Sequence, residues 1–198
     1  KNMAENPLVD AKLNGVINLG NVSKAYPVKL TVPLSGILKA DVATKFDMKS
    51  VETNQYENMQ NSGNMTLTGF RYVDDAKKVM NINKAIVQFT NTRINLQELD
   101  LTTGKTDMKV NGVLENFYGF IFRNQEIKGN FNMVSNQFSV DDFMSAGTET
   151  KEGEPKPKEE LKIPAYLNCV LNAKANTVLY DNLTLKDVSG KLFIKDQK

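Results

Sequence analysis

Histidine and tryptophan are absent from this sequence, and cysteine occurs once. Without histidine the chain lacks the commonest general base, the Ser-His and Cys-His nucleophile systems, and most zinc sites. The single Cys169 cannot form an internal disulfide. It lies in the apolar run "AYLNCVLNA" and reads as a small buried hydrophobe rather than a reactive thiol. So little cysteine suits either the cytoplasm or a bacterial periplasm. The missing tryptophan argues against a glycan-binding role, which usually exposes flat aromatic platforms. No run reaches the roughly 18 apolar residues needed to span a bilayer, and no signal peptide pattern is present. Strong charge of one sign is also missing: 25 basic and 23 acidic residues leave a net charge of +2. That balance provides no general field to attract nucleic acid.

What the sequence does contain is alternation. From Asp107 to Glu115, in "TGKTDMKVNGVLENFYGFIF", Met108, Val110, Gly112 and Leu114 fall on one side and Asp107, Lys109, Asn111 and Glu115 on the other. Val113 alone breaks the pattern, and an aromatic patch with Phe117 and Phe120 follows. The same period of two recurs in "KLNGVINLGNV", "GILKADVATKFDM", "GNMTLTGFRY", "KVMNINKAIVQF", "RINLQELDL", "EIKGNFNMV", "NQFSVDDF", "NLTLKDV" and "GKLFIKD". The spacing predicts an all-β protein: a curled, mostly antiparallel sheet of about a dozen short strands with at most one short helix. Such a sheet is either groove-like or an incompletely closed sandwich or barrel. The stretch 50–62 lacks alternation and is a loop or that one helix.

Glycines at 15, 36, 63, 112, 129 and 190 recur near strand starts, several in phase with the apolar row. A strand glycine marks a bend, a bulge or a close approach, so the sheet is expected to curl toward its apolar face. Asparagine is abundant on the outward positions, which fits a solvated sheet face. Residues 145–160, "SAGTETKEGEPKPKEE", combine Gly, Pro and alternating charge, and read as a mobile loop joining sub-units of about 1–144 and 161–198. The chain starts "KNMAENP" and stops at "LFIKDQK" in a strand-like pattern, which reads as one elongated β region excised from a longer protein. No catalytic constellation, calcium loop or phosphate loop is visible. Asp74-Asp75 and Asp141-Asp142 are adjacent carboxylates, which point apart on a strand and read as turn residues. No cofactor and no metal site is expected.

Three stretches resemble AsmA-like proteins. "NPLVDAKLNGVINLGNVSKAYP" resembles their strand ending in I-x-L before a proline. "TGKTDMKVNGVLENFYGFIF" resembles a recurring motif, here Gly104, Thr106, Asp107, Gly112, Leu114, Asn116 and Phe117. "IPAYLNCVLNAKANTVLYDNLTLKDVSGKLFIKD" resembles the following unit, with Pro164, Tyr180, Gly190 and Leu192. The resemblance implies a periplasmic segment anchored to the inner membrane through an element outside this sequence. It also implies a non-enzymatic role in outer-membrane biogenesis or phospholipid transport, by way of a β groove that holds phospholipid acyl chains. The lipid-facing candidates are then Met108, Val110, Leu114, Phe117, Phe120, Phe131 and Met133. The competing expectation is a closed β-sandwich serving as a binding or adhesion module, because a filled core and a lipid groove demand the same alternation.

Overall fold

The computed structural model describes residues 6–21, 35–53, 55, 58–73, 77–90, 93–117, 119–120, 125–144 and 167–195. The 145–160 segment, Asp74-Asp75, Pro164 and part of the aromatic patch lie outside the described residues.

Nine strands form one sheet: β1 (Leu8–Asn18), β2 (Ser35–Asp47), β3 (Gln60–Val73), β4 (Val79–Phe89), β5 (Arg93–Thr103), β6 (Thr106–Glu115), β7 (Ile127–Ser139), β8 (Leu167–Tyr180) and β9 (Leu183–Ile194). Their order in space is their order in the chain. All neighbours are antiparallel except β7 and β8, which run parallel. β1 and β9 are the two edges, and the sheet curls without closing into a barrel. The strands run to 10–14 residues, longer than local turn signals suggest. "EIKGNFNMV" and "NQFSVDDF" merge into β7, and "NLTLKDV" and "GKLFIKD" merge into β9. Ser135 and Asp187 do not break strands, because the neighbouring ladder supplies backbone partners across them.

The non-alternating stretch after β2 holds the helix α1 (Met48–Glu52). Asp47 is its N-cap, accepting from the Ser50 backbone N–H at 2.9 Å and from its hydroxyl at 3.0 Å. These bonds, the backbone one first, hold the Asp47 carboxyl below its ordinary value. The cap's contribution is therefore complete above the ordinary carboxylate pKa of about 4 and is lost as pH falls through the lower folded value.

β5 and β6 meet in a tight hairpin around Gly104 and Lys105. Gly104 has φ +53, and a β-carbon there would strike the Asp142 carboxylate. That carboxylate accepts from the Lys105 backbone N–H at 2.9 Å and from the Thr106 hydroxyl at 2.7 Å. Thr106 Oγ1 in turn accepts from the Ser139 N–H at 2.9 Å. Asp107 accepts from two successive amides, Asn136 at 3.1 Å and Gln137 at 2.8 Å. Two neighbouring N–H groups aimed the same way mark a bulge, and β6–β7 pairing stops just before it, at Lys109 and Val134. The bulge reverses the alternation. Phe138, counted strictly from Met133, belongs on the polar face, yet it packs into the apolar cluster of Leu101, Met108 and Met133.

The Thr106-Asp107 pair is thus a clasp between the β5–β6 hairpin and the end of β7. Hydrogen bonds to a charged acceptor contribute about 1.5–3 kcal/mol each when buried and less when half-exposed, and Asp107 is half-buried. Asp107→Ala is expected to cost about 1–3 kcal/mol in urea denaturation. A change below about 0.5 kcal/mol, the scatter of neutral surface substitutions, would show that the bulge forms without it.

Candidate functional site: an apolar track across nine strands

Strand register decides which side chains share a face. On one face it aligns three rows that run across the whole sheet. The first is Ile17, Leu38, Leu67, Ala85, Leu99, Val110, Met133, Ala173 and Gly190. The second is Gly15, Ala40, Met65, Val87, Leu96, Gly112, Phe131, Leu171 and Leu192. The third is Leu13, Val42, Gly63, Phe89, Ile94, Leu114, Gly129, Cys169 and Ile194. No position in the three rows carries a polar or charged side chain. Eight inter-strand spacings of about 4.8 Å make the rows about 38 Å long. The two intervals between them, four residues at about 3.4 Å, make the band about 14 Å wide.

This band is not a filled core. Among the described residues only Ala40, Val51, Met59, Leu101, Met108, Phe117, Met133, Cys169 and Ala175 are buried hydrophobics. Most other row members are half-exposed, and on the edge strands Leu13, at 44% exposure, Leu192, at 54%, and Gly190 are open. Two clusters give the band its curvature. At one end of the strands Val51, Met59 and Phe117 form a plug against which Phe46 of β2, Ile94 of β5 and Ile127 of β7 pack. β2 and β7 would stand about 24 Å apart in a flat sheet, so sharing a plug of three side chains requires the sheet to curl toward the apolar face. Toward the other strand end lies the Leu101, Met108 and Met133 cluster, joined by Phe138 and Phe143, whose rings stack at 5.1 Å.

The sequence candidates divide accordingly. Met108, Val110 and Leu114 of β6 and Phe131 and Met133 of β7 share the apolar face. Met108 and Met133 are covered by the second cluster, and Phe117 belongs to the plug. Val110, Leu114, Phe120 and Phe131 are half-exposed. Phe131 does not stand up from the sheet. β-carbons added at Gly112 and at Gly129 would both strike its ring, so the ring lies flat over the two glycines, its cross-strand and same-strand neighbours. Flattening a bulky ring in this way keeps the middle of the band low. Reading the sequence alone missed Val51 and Met59, which sit in the non-alternating stretch; the Asp47 and Ser50 capping pair was the signal for a helix there.

Cys169 is 4% exposed in the third row, and burial raises its thiol pKa. Among the described residues no cluster of three or more His, Cys, Asp or Glu side chains is placed to hold a metal, and no helix is long and apolar enough to cross a membrane. No family model, curated protein or solved structure matches this chain.

Two measurements check this geometry. Gly112→Ala would drive a methyl group into the Phe131 ring and the Asn130 carbonyl, and is expected to cost about 1–3 kcal/mol, as for overpacking. Gly15→Ala, with open space above it and ordinary φ, should be neutral or slightly stabilising. Equal effects in urea denaturation would rule out the flat ring. The Cys169 thiol should react with a disulfide reagent far more slowly in the native protein than in urea, because the reactive thiolate is disfavoured and covered.

Proposed function

We propose that this chain is a non-enzymatic lipid-handling segment of the AsmA-like kind, working in the periplasm in outer-membrane biogenesis or phospholipid transport. The observation that carries the proposal is the uninterrupted apolar band across all nine strands, most of whose side chains are half-exposed. A sheet with one apolar face must cover it with another layer, a partner or a lipid. Among the described residues no second layer lies over the band, and the helical pieces reach at most five residues. At about 38 Å the band exceeds the roughly 30 Å hydrocarbon thickness of a bilayer. It is a track along which acyl chains can slide rather than a pocket that encloses one molecule. The polar face beyond it carries the cross-strand ion pairs Lys45–Asp10, Lys84–Glu98, Arg93–Glu115 and Lys109–Asp100. They favour register more than stability, since exposed pairs contribute about 0–1 kcal/mol.

The test is native mass spectrometry of the purified protein after mixing with phospholipid, paired with binding of a fluorescent phospholipid. A bound diacyl lipid is expected. Ala85→Glu, which puts a charge in the middle of the first row, should leave the fold intact because Ala85 is half-exposed. It should also weaken lipid binding at least about tenfold, through the cost of setting a carboxylate against acyl chains. A lipid-free mass together with no fluorescence change would overturn the proposal.

A further inference from the structure

The opposite face of the sheet carries a second feature, independent of the apolar track. Between β4 and β8 it sinks into an open depression of about 630 Å³, inside the roughly 300–1,000 Å³ range of small-molecule sites. Seven of its ten lining residues bear carboxamides, and none bears a charge. The extra residue that β5 carries against its neighbours between Leu96 and Leu99 opens this hollow.

The carboxamides are oriented by one another. Asn172 Nδ2 donates to Asn132 Oδ1 at 3.1 Å, and Asn132 Nδ2 donates to Asn111 Oδ1 at 3.2 Å. Each carboxamide has two N–H donors and two acceptor lone pairs. The chain of three therefore keeps donors at the Asn111 end, acceptors at the Asn172 end, and one of each at Asn132. All three side chains are exposed. In the middle of the sheet the backbone N–H and C=O groups are consumed by the ladders. An extended peptide, which binds through main-chain groups at a sheet edge, finds none free here. Phosphate or another anion finds no cation in the lining, and an apolar ligand would strip the amides of water without replacing their bonds. The matching ligand is neutral and carries donors and acceptors on the same atoms, as vicinal hydroxyl groups do.

The register adds an aromatic plate. The row Asn95, Val113, Asn130, Val170 leads across β5 to β9 and ends on Phe193. This ring is 69% exposed, the most open large hydrophobic side chain described. The Lys191 ammonium sits over the ring, 5.3 Å from its centroid. Phe193 stands one row from the bonded carboxamides, whose own row ends on Lys191, and an exposed ring beside hydrogen-bonding amides suits the apolar C–H face of a sugar. It supplies an aromatic platform in a chain without tryptophan.

We propose that this face binds a neutral oligosaccharide, with Asn111, Asn132 and Asn172 bonding its hydroxyls and Phe193 stacking on a sugar ring. The test is titration of the isotope-labelled protein with cellohexaose, maltohexaose and the chitin hexamer, followed by the side-chain amide signals. At least one hexasaccharide should shift the signals of Asn111, Asn132 and Asn172 saturably. Asn132→Ala and Asn172→Ala should each weaken that binding about tenfold, equivalent to about 1.4 kcal/mol. Both positions are exposed, so spectral dispersion should persist. Phe193→Ala should weaken binding while Phe193→Tyr retains it, and Ala85→Glu on the other face should leave it unchanged. The proposal is overturned by absent amide shifts up to about 10 mM of every hexasaccharide, a concentration that corresponds to under about 3 kcal/mol of binding. It is equally overturned by unchanged affinity in Asn132→Ala or by binding confined to acidic saccharides.

Discussion

The structure depends on one constraint: every strand must keep its apolar residues on the same side as its neighbours' over nine consecutive pairings. A slip of one residue at any pairing would turn that strand's apolar set to the solvated face. Three aligned rows without a polar interruption show how closely the constraint is met. It also explains why irregularities occur in partner strands together. β4 shifts register against β5 between Ile82 and Lys84, and the facing part of β3 holds Gly69 at φ +61. β7 bulges at Asn136 and Gln137, the next strand β8 has Asn176 between the paired positions Ala175 and Thr177, and across it β9 holds Asp187 at φ +52. A bulge in one strand reverses its faces, so the neighbour must reverse as well or the apolar rows end.

The parallel step from β7 to β8 is the one departure from a simple meander. Parallel neighbours need a long crossover, and the chain between Ser139 and Leu167 is long enough to make one. The start of that crossover is anchored by Asp142, whose carboxylate holds the β5–β6 hairpin through Lys105 and Thr106. The same few polar residues thus fix a hairpin and tie it to the end of β7, the strand that enters the parallel pairing. In an open sheet, with little buried core to hold strand ends in place, such local polar ties matter more than they would in a sandwich.

Curvature and depth come from small residues and from a plug. Val51, Met59 and Phe117 gather strands from β2 to β7 on the concave side. Gly112 and Gly129 let the Phe131 ring lie down, so the apolar band stays shallow in its middle while it remains continuous. The two proposed binding faces share a backbone while demanding opposite chemistry: apolar rows for acyl chains, neutral amides for hydroxyls.

The sequence by itself determined the fold class, because alternation with period two is a local property that reads out directly as one apolar and one polar face. It also determined that Cys169 packs as a hydrophobe, since it alternates in phase with Leu167 and Leu171; of the in-phase glycines, Gly112 and Gly129 serve close approach, while Gly190 has open space above it. Register, order and the parallel β7–β8 pairing were decided only by the tertiary structure, because they join segments tens of residues apart that no local pattern links. The same holds for Asp107 and Asp142. Each reads as an ordinary turn or strand residue until folding sets its carboxylate beside amide groups 29 and 37 residues away in the chain, respectively. The asparagines read as mere solvation in sequence; only the ladder brings Asn111, Asn132 and Asn172 side by side, where their amides can bond one another and face a common ligand.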